Sequence, residues 1–251
     1  MAENSVETIL AEPIEAITPE PVKIVERVEP PKTLIEKISR NFASFLTAFL
    51  RTAALSVFLL PLLLLSFMTV DLPFRPLDRF APADALKPSL WLSWGGFAMA
   101  FAPLLVILFA RRFGGDEASR VVTAAWGVAA ISALAGILHW SPGLGAGDYP
   151  PVRFVAIFVG AAMAGQFVAA SVYDVTRGGG PWWRAPLYSA MIGYAVSGLI
   201  YFPLLFRSVG APWGSWLILD IAVKFLVLLS FLPLYHVLRD VLKPRGGFGG
   251  I

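Results

Sequence analysis

The chain has 251 residues, of which 57% are hydrophobic and only 15% are charged, and its net charge is +3. A soluble domain carries close to a quarter charged residues, so this excess of apolar surface excludes an ordinary soluble protein. There are no cysteines and only two histidines, which excludes disulfides and thiolate catalysis and argues against a multi-histidine metal or haem site. The basic residues stand beside apolar runs, where they report topology, so we do not expect nucleic acid as a partner.

Residues 1–36 differ in composition from the rest of the chain. Seven glutamates and five prolines fall between Met1 and Lys32. The prolines interrupt regular structure, and the segment lacks the basic and apolar regions of a signal peptide. We predict a disordered acidic cytoplasmic tail, for which docking to a partner is the alternative to a plain solvated segment. Residues 37–245 are predicted as the transmembrane domain and residues 246–251 as a flexible C-terminal tail.

Six apolar runs of helix length follow the acidic tail. Each approaches the roughly 20 residues that cross about 30 Å of hydrocarbon, and their length argues against a transmembrane β-barrel. The predicted fold is therefore an all-α polytopic membrane bundle of six helices, in contact with membrane lipid. An amphipathic lead-in helix is expected over residues 35–51. The predicted spans are residues 52–70, 89–110, 119–140, 152–173, 185–206 and 213–238.

The lysines and arginines beside these runs predict the orientation of the protein. With a cytoplasmic N-terminus, twelve basic residues flank the spans inside and five outside, which is a positive-inside bias. Both termini are therefore predicted in the cytoplasm, and the protein in a bacterial inner membrane. The inside residues are Lys32, Lys37, Arg40, Arg51, Arg111, Arg112, Arg120, Arg177, Arg184, Arg239, Lys243 and Arg245, and the outside residues are Arg75, Arg79, Lys87, Arg153 and Arg207.

Tryptophans and a long loop mark the predicted outer face. Five tryptophans are expected at the outer interface, where amphipathic indole rings are favoured. Residues 71–87 form the longest connection, and its prolines make it stiff and irregular. Two interpretations of this loop stay open, a lid over an external cavity and a plain connector. The five tryptophans are Trp91, Trp94, Trp140, Trp213 and Trp216.

Lys224 lies near the middle of the sixth predicted span, with Asp220 one turn away. At spacing i,i+4 the two side chains share a helix face and can form an ion pair. An ionisable group at this depth costs on the order of 2.5–3.5 kcal/mol, so it normally faces the bundle interior, an aqueous cavity or a ligand. We predict a solute site here, with a structural ion pair as the alternative. Pro233 should bend the same helix, either as a hinge or as a static shape.

The fourth span carries a polar residue beside stripes of small residues. Gln166 needs a hydrogen-bond partner at its depth, either on another helix or on a substrate amide. The small residues predict close approach of helix backbones. The two stripes are Gly160 with Ala164, and Ala161 with Gly165 and Ala169.

The fifth span carries a polar and aromatic stripe. Tyr194, Ser197 and Tyr201 stand at spacings of three and four, so they share one helix face. Such a stripe suits a flat, hydrogen-bonding ligand, and it equally suits hydrogen bonds between helices. The predicted substrate-binding residues are Lys224, Asp220, Gln166, Tyr194 and Ser197.

Motifs for catalysis are missing from the sequence. The chain has no phosphate-binding loop, no HExxH, no GxSxG and no evident carboxylate pair within the predicted spans. We therefore expect neither an enzyme nor a bound cofactor or metal. Any transport would be driven by an ion gradient, by facilitated diffusion or by a separate energising subunit.

Several helices share a residue pattern with a known family. The matching residues are Gly165-Gln166-Phe167-Val168, Val172-Tyr173 and Arg177, then Trp182-Trp183-Arg184 and Ser189, then Pro212-Trp213, Lys224 and Pro233, with the turn Gly115–Arg120 and Val121-Val122. In these residues the chain resembles the VUT family of queuosine-precursor and vitamin uptake transporters, over roughly residues 94–235. The resemblance implies a six-helix transporter-like protein that binds or moves a small planar solute. The residues that would line its site are Gln166, Tyr194, Ser197 and Lys224.

The chain departs from the family pattern at acidic positions. Ala169 and Ser197 stand where the pattern has aspartates, and the acidic residues expected before the turn fall near Leu108 and Arg112. A cavity for a cationic deazaguanine would have lost most of its carboxylates, so the fold transfers more safely than the substrate. The competing hypothesis is a non-transporting subunit or scaffold of a larger inner-membrane complex, with the acidic tail as its tether. A membrane-protein partner and a homo-oligomer both stay open.

Overall fold

The computed structural model describes residues 34–140 and 151–244. The predicted acidic tail lies outside these residues except for its last three, which open the first helix. The predicted C-terminal tail, residues 246–251, lies outside them entirely. The chain divides into two compact units, Met1–Ala43 and Ser44–Ile251, and the second unit holds every helix after the first.

Helices account for most of the described residues. The α-helices are α1 Leu34–Met68, α2 Trp94–Met99, α3 Ala102–Phe113, α4 Gly115–Trp140, α5 Val152–Thr176, α6 Arg184–Phe206 and α7 Trp213–Val241. Short 3₁₀ turns occupy Asp78–Phe80, Asp84–Leu86, Pro88–Leu90 and Arg207–Val209. Six helical segments within residues 34–140 and 151–244 are long and apolar enough to cross a membrane, and α2 with α3 forms one of them. The predicted all-α, six-span fold is confirmed.

The first span is longer than the sequence pattern predicts. α1 continues from Leu34 to Met68, so the lead-in helix expected over residues 35–51 is the start of the spanning helix and not a separate element. Continuous helix satisfies each backbone group within its own segment, which a bilayer requires. Leu59 and Leu63 are fully buried, and they anchor α1 in the core of the bundle.

A folded loop, residues 69–93, covers one end of the bundle, which we call the loop end. The Phe74 N–H donates a hydrogen bond of 2.9 Å to the carbonyl oxygen of Leu92. The Trp94 N–H donates one of 2.8 Å to the carbonyl oxygen of Leu72. The two limbs of the loop are therefore paired to each other, and the loop is held as a compact layer.

Two of the tryptophans predicted at the outer interface are buried instead. Trp91 is 6% exposed and Trp216 is 8% exposed. Their indole N–H groups donate to loop carbonyls, from Trp91 to Leu86 at 3.2 Å and from Trp216 to Ala85 at 2.9 Å. Because the loop satisfies the polar edge of each ring, the apolar face can bury in the protein and need not face lipid.

Glycines allow α5 and α6 to pack closely. A Cβ atom added to Gly165 would lie 2.7 Å from the carbonyl oxygen of Gly193, and one added to Gly193 would lie 2.7 Å from that of Gly165. The stripe formed by Gly165 with Ala161 and Ala169 is therefore a helix contact, as predicted. The second stripe does not make such a contact, because a Cβ atom on Gly160 would meet nothing within 4 Å.

The opposite end of the bundle, around Arg111, Arg177 and Arg239, is the arginine end. α3, α5 and α7 finish there, and α4 and α6 begin there. Gly114 turns the chain from α3 into α4 with φ of 90°, which L side chains rarely adopt. The short turn keeps α3 and α4 adjacent and antiparallel.

An acidic residue in the first turn of α4 ties α1 to this part of the bundle. Glu117 is 3% exposed and accepts a hydrogen bond of 3.0 Å from Arg51 Nε. It accepts a second one of 2.9 Å from the hydroxyl of Thr52. The carboxylate is thus charge-paired and hydrogen-bonded, as a buried charge must be.

Candidate solute site

The second span is interrupted between α2 and α3. Pro103 has no backbone N–H, so the Met99 carbonyl lacks the partner that an unbroken helix would supply four residues later. The N–H groups of Ala100 and Phe101 bond to carbonyls only three residues back. The hydroxyl of Tyr194 in α6 donates a hydrogen bond of 2.6 Å to the Ala100 carbonyl oxygen. Interrupted helices of this kind form the solute sites of many transporters.

Lys224 and Asp220 form the ion pair that their spacing predicts. Lys224 Nζ lies 2.6 Å from Asp220 Oδ2, and the two side chains are 15% and 4% exposed. The ammonium group also lies 5.9 Å from the centroid of the Tyr194 ring, within the range of a cation–π contact. Asp220 uses one of the three N–H donors of the ammonium group, so two are left for other acceptors.

Gln166 finds its partner on another helix. It is fully buried, and its Oε1 accepts a hydrogen bond of 3.2 Å from the indole of Trp126 in α4. Its Nε2 lies 3.7 Å from Met99 Sδ, beside the helix interruption. Trp126 cannot be identified from sequence as this partner, because an indole within an apolar run carries no sign of which helix it faces.

Two adjoining cavities bring the predicted site residues together. The larger has a volume of about 60 Å³, and its lining includes Lys224, Asp220 and Ser197. The smaller has a volume of about 20 Å³ and is lined by Lys224 and Ser197 again, with Gln166 and Tyr194. A water needs roughly 10–15 Å³, whereas small-molecule sites begin near 300 Å³. These two cavities therefore have room for waters but not for an organic solute.

The last residues of the loop line the larger cavity. Trp91 and Ser93 are among its lining residues, together with Lys224. The Trp91 ring lies 6.4 Å, between centroids, from the ring of Phe202, which lines the cavity from α6. Residues 71–87, for which a lid and a plain connector were the two interpretations, are not among the residues that line this cavity, so both interpretations stay open.

The side chains around the cavities define what the site can do. They offer an ion pair without net charge, a serine hydroxyl and the rings of Tyr201, Phe158 and Phe202. Such a lining can hold a flat molecule by stacking and can hydrogen-bond its edge. Among residues 34–140 and 151–244 there is no cluster of three histidine, aspartate or glutamate side chains that could hold a metal ion.

Six apolar spans that enclose a buried ion pair define a polytopic α-helical membrane protein with an internal polar site. A sequence model of the family described as "Putative vitamin uptake transporter" matches residues 93–238. The match covers more than half of the chain and includes α2 to α6 and most of α7, so the chain belongs to this family. It confirms the resemblance to the VUT family. No curated protein and no solved structure matches the chain.

Proposed function

We propose that this protein moves a small planar solute, of the queuosine-precursor type, across a bacterial inner membrane through the site around Lys224. The main support is the Lys224–Asp220 ion pair, which is buried inside a spanning helix and adjoins an internal cavity. An ion pair that only fixed helix packing would need no cavity beside it. Membership of a vitamin uptake transporter family supports solute transport in general.

The lining of the larger cavity suits a flat heterocycle. Two N–H donors of Lys224 can bond to a ring carbonyl or ring nitrogen. The hydroxyl of Ser197 donates to the Tyr194 carbonyl oxygen at 3.1 Å, so it can accept a hydrogen bond from a ring N–H. Aromatic rings supply the faces, with Tyr201 6.3 Å from Phe158 and 5.3 Å from Phe202 between centroids. Offset or edge-on stacking against such rings favours planar ligands over aliphatic ones.

The charges of the site favour a neutral solute over a cationic one. Asp220 is the one carboxylate among the residues that line the larger cavity, and Lys224 already engages it. Ala169 and Ser197 stand where the family pattern has aspartates. A cation entering this site would face the Lys224 ammonium group without a free carboxylate, which costs energy in a medium of low polarity.

Solute entry requires the cavity of about 60 Å³ to enlarge. The six-residue helix α2 lies between the loop and the interruption at Ala100. Backbone at the interruption has few helical hydrogen bonds to break, and the bond from Tyr194 to Ala100 is one of the contacts that hold it. The Ser66 hydroxyl of α1 holds α2 as well, through a bond of 2.7 Å to the Gly95 carbonyl oxygen. Movement of α2 with the loop would enlarge the cavity at the loop end while leaving the Lys224–Asp220 pair in place.

Counterflow into liposomes that contain the full chain tests the proposed function without assuming an energy source. Vesicles preloaded with an unlabelled neutral 7-deazaguanine should take up the labelled compound. The aminomethyl derivative, which is a cation at neutral pH, should exchange at least about tenfold more slowly. Exchange that is absent for both compounds would contradict the proposal. An imposed ion gradient then separates coupled transport from facilitated diffusion.

A second candidate function is a non-transporting subunit of a larger membrane complex. The observations that favour it are the small cavity volume, about 60 Å³, and the loss of family carboxylates at Ala169 and Ser197. Purification in mild detergent separates the two candidates. A stoichiometric membrane-protein partner, together with an inert chain in counterflow, would favour the subunit over the carrier.

A further inference from the structure

A third cavity lies at the arginine end, apart from the site around Lys224. Its volume is about 280 Å³, more than four times that of the larger solute-site cavity. Guanidinium groups reach it from three separate parts of the chain, with Arg111 in α3, Arg177 after α5 and Arg239 in α7. Two buried tyrosines, Tyr173 and Tyr235, complete its polar wall. Nothing in the proposed transport step uses these side chains.

Arg111 is held in place by neutral groups. Its Nε and Nη2 donate to the backbone carbonyl oxygen of Arg239 at 3.2 and 2.8 Å, and its Nη1 lies 3.4 Å from the Tyr235 hydroxyl. The hydroxyls of Tyr173 and Tyr235 are 2.7 Å apart. No carboxylate oxygen of the described residues lies within 4 Å of the Arg111 guanidinium. The charge is therefore oriented towards the cavity but not neutralised.

The other two arginines each pair with an aspartate. Arg177 lies 3.0 Å from Asp174, and Arg239 lies 3.4 Å from Asp240, whose side chain is 73% exposed. The Arg239–Asp240 pair lies at the surface, and such a pair neutralises little of the arginine's charge because water screens it. Among the described residues, the Arg111 guanidinium has no carboxylate within 4 Å, and the carboxylate that pairs with Arg239 is exposed to water.

We propose that this cavity binds a phosphate-bearing anion. Guanidinium N–H groups form charge-assisted hydrogen bonds to phosphate oxygens, and groups from three parts of the chain can surround a tetrahedral anion. One hydroxyl proton of the Tyr173–Tyr235 pair is left for a ligand, because the other lies in the hydrogen bond between them. The volume accommodates a phosphate group with a small substituent. Such a group comes either from the headgroup of an anionic lipid or from a soluble phosphate compound, and both present the same chemistry.

Thermal unfolding of the full chain tests the proposal with two probes. In the first arm, inorganic phosphate is added to protein in a neutral detergent, against sodium chloride at equal ionic strength so that general screening cancels. In the second arm, nanodiscs of phosphatidylcholine are compared with nanodiscs that contain equal parts of phosphatidylglycerol. A rise in unfolding temperature in the first arm identifies a soluble phosphate ligand, and a rise in the second identifies a lipid headgroup. No rise in either arm overturns the proposal.

Matched variants show whether the cavity is responsible. Arg111→Gln should weaken binding of whichever probe raises the unfolding temperature at least about tenfold, since it removes charge-assisted hydrogen bonds. Arg112→Gln removes the same charge from the next residue, which does not line the cavity, and should leave the effect unchanged. If Arg111→Gln does not fold, Arg239→Gln replaces it, because that change keeps the backbone carbonyl to which Arg111 donates. The proposed anion site would be contradicted if Arg112→Gln weakened binding of the probe as much as Arg111→Gln. It would also be contradicted if neither cavity variant weakened it.

Discussion

The hydroxyl of Tyr194 donates a 2.6 Å hydrogen bond to the carbonyl oxygen of Ala100, and this bond joins α6 to the interruption between α2 and α3. Both groups are fully buried or nearly so. The hydroxyl therefore satisfies a carbonyl that the broken helix would otherwise leave without a partner in an apolar medium.

Tyr194→Phe should lower the free energy of unfolding by roughly 1–3 kcal/mol, because it leaves a buried carbonyl oxygen without its donor. The measurement is equilibrium unfolding in mixed micelles. Tyr188→Phe is the control, since Tyr188 lies six residues earlier on the same helix and is 43% exposed. Equal stability of both variants would mean that the break is held by other contacts.

Gly165→Ala should destabilise the bundle by about 1–3 kcal/mol, the usual cost of overpacking. The added methyl group would lie 2.7 Å from the Gly193 carbonyl oxygen and 2.8 Å from Ser197 Cβ, so α5 and α6 must separate. Gly160→Ala makes the same chemical change five residues earlier, in open space. Its stability should equal that of the wild type or exceed it slightly, because alanine favours a helix over glycine. Equal loss of stability in both variants would show that the close contact of Gly165 with α6 does not explain the effect.

The loop should lose order at low pH through Asp78. The Asp78 carboxylate accepts a hydrogen bond of 2.9 Å from the backbone N–H of Ser89. This bond, together with the positive charges of Lys87 and Arg75, holds the pKa of Asp78 below its ordinary value of 3.8. A lowered pKa in the folded state stabilises the loop at higher pH, and that contribution disappears as the pH falls through the folded pKa.

Hydrogen exchange at the Ser89 amide, corrected for its intrinsic rate, measures this effect. Protection should be steady above pH 3.8 and should fall below it. Asp78→Asn keeps an oxygen acceptor but cannot titrate, so protection should no longer depend on pH. Asp71→Asn changes an exposed carboxylate of the same loop and should leave the wild-type profile intact. Identical profiles in the wild type and Asp78→Asn would disprove the link.

The topology predicted from basic residues can be checked with fused reporters. Arg112 Nη1 lies 3.3 Å from the Val241 carbonyl oxygen, so the turn at Gly114 and the end of α7 lie at the same end of the bundle. Reporters after Arg245 and at Gly114 should both be cytoplasmic, and one near Asp148 should be periplasmic. Residue 148 lies outside the described residues. A periplasmic reporter after Arg245 would overturn the predicted orientation.

The spans could be predicted from sequence because the bilayer sets their length. The Lys224–Asp220 pair could be predicted because it depends on one helix alone. The interruption between α2 and α3 could not be predicted. Pro61, Pro203 and Pro233 lie inside helices that continue through them. A proline therefore does not by itself predict an interrupted helix in these spans. Near Pro103 the Tyr194 hydroxyl bonds to the backbone carbonyl of Ala100, and the position of that hydroxyl depends on how α6 packs.

Contacts between distant segments account for the other differences. The arginines at one end were interpretable from sequence only as topology signals, because their convergence on Tyr173 and Tyr235 requires three helices to finish together. Trp126 likewise gains its role only where α4 meets Gln166. The roles assigned to the predicted site residues stay predictions, as does the disorder of the acidic tail.

We propose that Lys224 serves a solute site, and substitutions of this residue test that role. Lys224→Met keeps an apolar stem and removes the charge, so counterflow of the neutral 7-deazaguanine should cease while the protein stays folded. It also leaves Asp220 buried and unpaired, which should lower the unfolding temperature. Lys243→Met, an exposed lysine beyond the end of α7, is the matched control and should transport normally.

The double variant Asp220→Asn with Lys224→Met gives the most direct measurement, because it separates packing from function. Replacing both charges removes the unpaired carboxylate, so the unfolding temperature should recover towards that of the wild type. Counterflow, measured on the same preparation, should stay absent, since no ammonium group is left to bind the solute. Recovery of stability without counterflow is the predicted result. Counterflow at the wild-type rate in the double variant would contradict the account and leave the ion pair a structural role only.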